Sequence, residues 1–442
     1  MTIRRTAAAI AVTGVVVAGL AGCAPASEGG ADGDVTLTIW DNGALSKKAE
    51  DGSVDEDGSF LHRAAAAYEE ENDGVTVDIV QLSGDISQDA AQFQAASIAK
   101  NGPDLRVGYT GGNTIDYADF LLPLDDTFSE ETMTDLTGWN TVRAGYQEDG
   151  DLLGLPYGGG SYFYVFYNKA MVEEAGLDLS TPPATWEDLL DDAEQVLDET
   201  DHTPFWTTNQ EGYSGAWIVA ALAGGLIGPT AFTDMFNGDV DLDDPRMVEA
   251  YEAYAELFSR GLTNPDAGSL GNSELLTGFL QGNGAFMVSG SWENGAMFDA
   301  VGDDMGVFPI PMLEDAEYPS TIAGGPNVSV SITNYSKHQE QAEDFLNYLA
   351  EPDTIDLYVE LNQTEASNSA QADPSVITNP YLQSQAEQLV DIENVVYPFD
   401  NVMPQLVIDL FYRVNATVFT GQTTAEDAVA ELQDAYESEQ TE

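Results

Sequence analysis

Val35 to Trp40 (VTLTIW) alternates apolar and polar positions and is β-branched, Phe60 to Glu71 (FLHRAAAAYEEE) reads as a helix, and Val75 to Val80 reads as a second strand. Strand, helix and strand at this spacing form a βαβ unit, which requires a parallel sheet because the helix must carry the chain back to the start of the next strand. The pattern continues. A helix over Asp89 to Ala99 leads to Gly102-Pro103, which ends it before another short strand through Leu105, Arg106 and Val107. Farther on, Tyr162 to Tyr167 (YFYVFY), Gly284 to Ser289 and Val328 to Ile332 are expected strands. Helices are expected at Lys169 to Ala175, Thr185 to Leu197, Asp244 to Arg260, Gln339 to Leu349 and Pro404 to Val418. No repeat of fixed period runs through the chain. At 442 residues it exceeds what one hydrophobic core serves, so two α/β lobes are expected.

Charge narrows the function. The chain carries 77 Asp+Glu against 13 Lys+Arg, a formal net charge of −64, which argues against nucleic acid as a partner because phosphate binding depends on basic groups. Yet 43% hydrophobic and 10% aromatic residues are too many for an acidic disordered protein. The carboxylates are spread along the whole chain, and molar salt screens such self-repulsion, so a salty habitat is inferred. Two acidic stretches, Asp51 to Asp57 and Asp239 to Asp244, look superficially like calcium loops, but the first carries Ala64 where the bidentate Glu belongs. With one cysteine, Cys23, and three scattered histidines, His62, His202 and His338, no disulfide, zinc cluster, metal site or cofactor is expected.

The N-terminus reads as an address. Arg4-Arg5 precede an apolar run from Ala7 to Gly22 that is short for a membrane span, followed by Leu20-Ala21-Gly22-Cys23. That tetrapeptide looks like the lipobox of bacterial and archaeal lipoproteins. The resemblance implies a signal peptide over residues 1–22, lipidation at Cys23, a flexible tether over 23–34, and a protein held on the outer face of the cell membrane.

Several stretches, in order, resemble the extracellular solute-binding proteins of ABC importers, the group that includes maltose- and multi-sugar-binding proteins. They are Leu37-Thr-Ile-Trp40, Asn101-Gly-Pro-Asp104, Phe120 to Asp125, Gly154-Leu-Pro-Tyr157, Tyr167-Asn-Lys169, Ala175-Gly-Leu177, Pro183 to Asp188, Gly284 to Trp292, Ala323-Gly-Gly325 and Ala342 to Phe345. The resemblance implies the two-lobed, type II periplasmic-binding-protein-like α/β fold, each lobe a mostly parallel sheet flanked by helices. The lobes are expected over 35–156 with 325–394 and over 157–324 with 395–442. Crossovers are expected near Gly154 to Ser161 and Thr321 to Asn327, with Gly158-Gly-Gly160 and Gly324-Gly325 suited to bending or to close approach of a ligand.

The function so implied is a non-enzymatic, monomeric receptor that captures a mono- or oligosaccharide between its lobes and delivers it to an ABC permease. A sugar asks for aromatic faces beside carboxylates and amides. By resemblance, Trp292 takes the place of a stacking aromatic, and Tyr213 with Glu211 lies in a polar-aromatic segment. Asn42, Tyr109 and Thr110 stand at strand ends, where open parallel sheets bind ligands. Tyr157, Ser161, Trp206, Gly325 and Asn327 complete the candidate set, whereas Trp40, Trp186 and Trp217 read as core. Ala44-Leu45 and Gly111-Gly112 replace charged residues of the maltose type, which counts against maltodextrin. Two rivals stay open. One is a receptor of the same fold for a polyamine, peptide or other small solute. The other is a secreted glycoside hydrolase, which needs two carboxylates roughly 5 to 10 Å apart.

Overall fold

The structure, a computed structural model, describes residues 35–48, 53–83, 86–147, 149–158, 161–362, 369, 371–389 and 392–439. The expected signal peptide, Cys23 with its tether, Asp51, Gly159 and Gly160, and residues 363–368 lie outside the described residues.

The first lobe begins as the sequence dictates, with β1 (Val35–Asp41), α1 (Phe60–Glu71), β2 (Val75–Gln81), α2 (Ile86–Ala99) and β3 (Leu105–Tyr109). Phe60, Leu61, Ala64, Ala65 and Tyr68 fall on one stripe of α1 and are buried, which explains why this Ala-rich segment is a helix laid on the sheet. β1 pairs in parallel with β2 and β3. The sheet then gains β4 (Leu155–Tyr157), the last strand before the chain leaves the lobe.

The second lobe contains β5 (Phe163–Asn168), α3 (Trp186–Glu199), α4 (Tyr213–Ile227), α5 (Pro245–Ser259), β6 (Phe286–Gly290) and β7 (Met305–Pro309). α3 starts where Thr185 caps it, its hydroxyl accepting from the Asp188 N–H at 3.1 Å, with Glu187 and Asp188 in the positive first turn. Trp186, Leu189, Leu190, Ala193 and Val196 form its buried face. Asp244 caps α5 in the same way.

The chain then returns to the first lobe as β8 (Val328–Ile332) and α6 (Gln339–Leu349), and ends in the second with α7 (Gln405–Phe419) and α8 (Ala425–Glu439). β8 runs antiparallel between β3 and β4, so the first sheet has the order β2-β1-β3-β8-β4. One apolar core gathers residues from the 37–157 and 328–355 stretches, around Phe60, Tyr157, Phe345 and Leu349. A second, larger one gathers the 163–323 and 396–436 stretches, around Trp186, Tyr251, Phe286 and Phe411.

Two details depart from expectation. The second lobe's sheet, β6-β5-β7, is antiparallel at both seams rather than mostly parallel. β5 leads away from the crossover and both partners return toward it, and the parallel element reduces to single bridges from Phe205. The helix Pro380–Leu389, within the segment assigned to the first lobe, reaches both lobes. Leu382 packs with Val359 and Ile377, while Gln385 exchanges amide hydrogen bonds with Asn294, which follows β6.

Candidate functional site

Register brings the ends of the strands together. Asp41 at the end of β1 faces Gln81 on one side and Val107 on the other, and Val328 at the start of β8 faces Tyr109 and Tyr157. On the second sheet, Phe163 at the start of β5 faces Gly290 at the end of β6. Both edges therefore meet the same two crossovers, and the chain between them is tied by hydrogen bonds. Ser161 N–H donates to the Gly325 carbonyl at 3.1 Å, the Asn327 amide donates to the Ser161 hydroxyl at 2.9 Å, and Thr110 N–H donates to the Asn327 carbonyl at 3.0 Å. Asn327 keeps its buried Oδ1 without a protein partner.

Beside this floor stands Trp292. The Ser291 N–H donates to the Tyr162 carbonyl at 2.9 Å and the Tyr162 N–H donates to the Ser291 hydroxyl at 3.2 Å, which fixes the turn after β6 to the crossover. The indole meets Trp217 and Phe163 edge-on, with ring centroids 5.4 and 6.0 Å apart, yet is 48% exposed. A Cβ at Gly290 would lie 1.9 Å from the indole ring, so the glycine of Gly-Ser-Trp is what lets the ring fold back over its own strand. Trp217, buried as expected, backs it. The carboxyl of the next residue, Glu293, is raised by burial, against which the Trp292 and Ser289 side chains work as donors.

A second aromatic group begins at the start of α4. Tyr213 meets Tyr412 edge-on at 4.9 Å, and the Tyr412 hydroxyl donates to Asp400 Oδ2 at 2.9 Å. Burial raises the Asp400 carboxyl, although the Tyr412 hydroxyl works in the opposite direction. Tyr397, three residues earlier, shares a hydrogen bond with the Thr110 hydroxyl, so this group is joined to the crossover floor. Asn42 and Tyr109 lie together on the first lobe's edge, lining a small polar pocket with Asp89, Arg106 and Asn113.

Other candidates take different roles. Tyr157 is 1% exposed, stacks on Phe60 at 5.3 Å and donates its hydroxyl to the Leu349 carbonyl, so it is a core residue of the first lobe and no ligand contact. Thr110 is also 1% exposed, with its hydroxyl on the Pro326 carbonyl, and it fastens the crossover instead of facing a ligand. Trp206 is half-buried and ties its indole N–H to the Leu275 carbonyl at 3.0 Å. Glu211 is exposed and holds the Asn272 N–H at 3.1 Å. Gly325 is buried at φ +134°, a backbone conformation that serves the crossover. The sequence reading passed over Asp89, Arg106, Asn113, Asp400 and Tyr412. No local motif marks any of them, since each gains its place from residues far away in the chain.

Among the described residues no three His, Cys, Asp or Glu side chains gather as a metal set would need, and no helix is long and apolar enough to cross a membrane.

Comparison with known proteins gives concordant results. The family described as bacterial extracellular solute-binding protein matches residues 51–355. An arabinooligosaccharide-binding protein of Halalkalibacterium halodurans is 28% identical over 211 residues, 46% of this chain and 44% of that protein, so the chain spans under half the length of this relative. An sn-glycerol-3-phosphate-binding periplasmic protein of Brucella abortus (strain 2308) is 27% identical over 214 residues, 46% of each chain. Among solved structures, a chitin oligosaccharide binding protein superposes with a TM-score of 0.77 at 19% identity, covering 92% of this chain and 100% of that one. At that identity the likeness speaks for the type II two-lobed fold.

Proposed function

The chain belongs to the bacterial extracellular solute-binding proteins, and we propose that it is the receptor of an ABC importer, capturing a mono- or oligosaccharide between its lobes and handing it unchanged to the permease. The observation that carries this reading is Trp292, a large indole left 48% exposed beside the crossover floor and braced from behind by Trp217 and Phe163. An aromatic face held rigid but uncovered, with amides and carboxyls around it, suits the alternating C–H patches and hydroxyls of a sugar ring. The named ligands of the arabinooligosaccharide- and chitin-oligosaccharide-binding proteins favour the same class.

In this reading the lobes comprise 35–156 with 325–394 and 157–324 with 395–442, and they close about the crossovers as a hinge. Trp292 and Tyr213 supply faces, while Asn42, Tyr109, Ser161, Asn327 and Glu211 supply polar contacts together with Asp400 and Glu293. Residues 1–22 are a signal peptide and Cys23 carries the lipid that holds a monomeric receptor on the outer face of the membrane. The acidic composition adapts it to high salt.

The test is calorimetric titration and thermal shift of the purified chain against arabino-, xylo- and chito-oligosaccharides, monosaccharides, polyamines, short peptides and glycerol 3-phosphate. A ligand that binds only the folded state stabilises it by RT ln(1 + [L]/Kd), so a micromolar saccharide shifts the transition at millimolar concentration. Saccharides bound and recovered intact are expected. Binding confined to polyamines, peptides or glycerol phosphate overturns the sugar assignment, and cleavage of the sugar overturns the receptor reading in favour of a hydrolase.

A further inference from the structure

The polar pocket on the first lobe's edge is built, not incidental. Arg106 and Asp89 are each 6% exposed, and with Asn42, Tyr109 and Asn113 they enclose a cavity of about 10 Å³, near the minimum that admits one water-sized group. The guanidinium lies between two rings, 4.7 Å from the Phe93 centroid and 4.8 Å from that of Tyr117. Its terminal nitrogens donate to the Asn113 carbonyl and to Asn113 Oδ1, both at 2.7 Å. Asn113 Oδ1 also accepts the Tyr109 N–H at 3.1 Å. A Cβ on Gly108 would come within 3.0 Å of the guanidinium and 3.1 Å of Asn113 Oδ1, so the glycine between Arg106 and Tyr109 makes room for the arrangement.

These bonds decide what the pocket can recognise. The acceptor end of Asn113 is used by Arg106 and Tyr109, and the acceptor end of Asn42 is used by the Ala44 N–H at 3.0 Å. Both amides therefore have N–H donors to offer. The Tyr109 phenol is raised by burial and by the Asp41 and Asp89 carboxylates, so it stays protonated and can donate as well. Asp89, whose Oδ1 takes the Ser83 N–H and hydroxyl at 3.1 and 2.6 Å, is the acceptor in the wall. Donors on one side and a carboxylate on the other match a hydroxyl, which accepts and donates at once. They do not match a phosphate. The cavity is too small for one, Arg106 has both terminal nitrogens engaged, and Asp89 repels an anion.

We propose that this pocket is a hydroxyl-reading subsite of the first lobe, in which one uncharged hydroxyl of the bound saccharide donates to Asp89 and accepts from Asn42, Asn113 or Tyr109. The inference rests on the saccharide-receptor reading and adds to it a place where the ligand's substitution pattern is sensed. The hydroxyl that enters must be free, since the cavity has no room for an O-methyl or acetyl group.

The experiment uses the full chain, the tightest-binding saccharide among arabinotriose, xylotriose and chitotriose, and its singly deoxygenated analogues. Asn42→Ala and Tyr109→Phe each weaken binding about 3- to 10-fold, the worth of one neutral hydrogen bond, with little change in melting temperature. One deoxy analogue loses similar affinity for the wild-type chain but no further affinity for Asn42→Ala, while the other analogues remain additive with the substitution. Glycerol 3-phosphate does not bind. Variants that bind as tightly as wild type, or additivity at every deoxy position, overturn the subsite and leave the receptor reading standing. Failure of every saccharide to bind the wild-type chain overturns the receptor reading, and the subsite with it.

Discussion

Gly111 is where the first lobe's backbone meets the second's, and replacing it by alanine tests how much that contact contributes. Gly111 sits at φ +69° and ψ −143°, and its N–H donates to the Thr141 carbonyl at 2.7 Å. A Cβ there would stand 1.6 Å from the Asn401 carbonyl oxygen, a backbone atom that no rotamer change can move. The backbone strain alone costs about 1–3 kcal/mol. Relief of the clash must shift the 399–402 turn, and this turn supplies the Val402 carbonyl that accepts the Tyr146 hydroxyl at 2.8 Å, a bond worth about 1 kcal/mol. Gly111→Ala is therefore expected to cost about 2–4 kcal/mol, or roughly 5–15 °C in melting temperature for a lobe of this size. Gly261→Ala supplies the control, because Gly261 has φ +71° but nothing within 4 Å of its added Cβ, and so reports strain without a clash at about 1 kcal/mol. Chemical denaturation of both variants gives the difference, and small-angle scattering shows whether Gly111→Ala also opens the lobes and enlarges the radius of gyration. Equal destabilisation by the two variants, with unchanged scattering, would refute the reasoning.

Trp292→Ala is expected to reduce saccharide affinity at least about tenfold, while costing little stability because the ring is 48% exposed; Trp292→Phe retains most of the affinity, and calorimetry with parallel melts separates the two effects. Asp192, on α3, has its carboxyl raised to about 6 by burial and by Asp188 and Asp191. Its ionised form therefore opposes folding above that pH, and the penalty fades as pH falls through 6 and is gone below the unfolded value near 3.8. Asp192→Asn should stabilise by about 1 kcal/mol at pH 8, after discounting for its solvent exposure, and by nothing near pH 3.5; an equal effect at both, in urea titrations, would count against the assignment. With a net charge of −64, the melting temperature should rise by about 10 °C or more between 0.1 and 2 M NaCl, as the screening length falls from about 10 Å to under 3 Å. A flat response removes the inference of a saline habitat.

Elements with a one-sided apolar pattern were legible from the residues alone. The helices at Phe60–Glu71 and Gln339–Leu349 and the strand Val328–Ile332 lie at the expected bounds, because each presents one period to one core or is a short β-branched run between turns. α4 was not legible. Nearly all of Tyr213–Ile227 is buried, so it has no polar face to generate a helical period, and its two consecutive glycines read as a break. The site divides in the same way. Trp292 announces itself because the preceding glycine, serine and strand are contiguous with it. Tyr157 misled, since standing at the end of a strand does not say which face a side chain takes, and β4 turns that ring onto Phe60. Arg106, Asp89 and Asn113 each look ordinary in sequence. What makes them a site is α2 lying back across the end of β3, so that a carboxylate from the helix, a guanidinium from the strand and an amide from the following turn enclose one cavity. A function assigned from motifs thus reaches the aromatic platform first, and the polar groups that would discriminate between ligands are found only through tertiary packing.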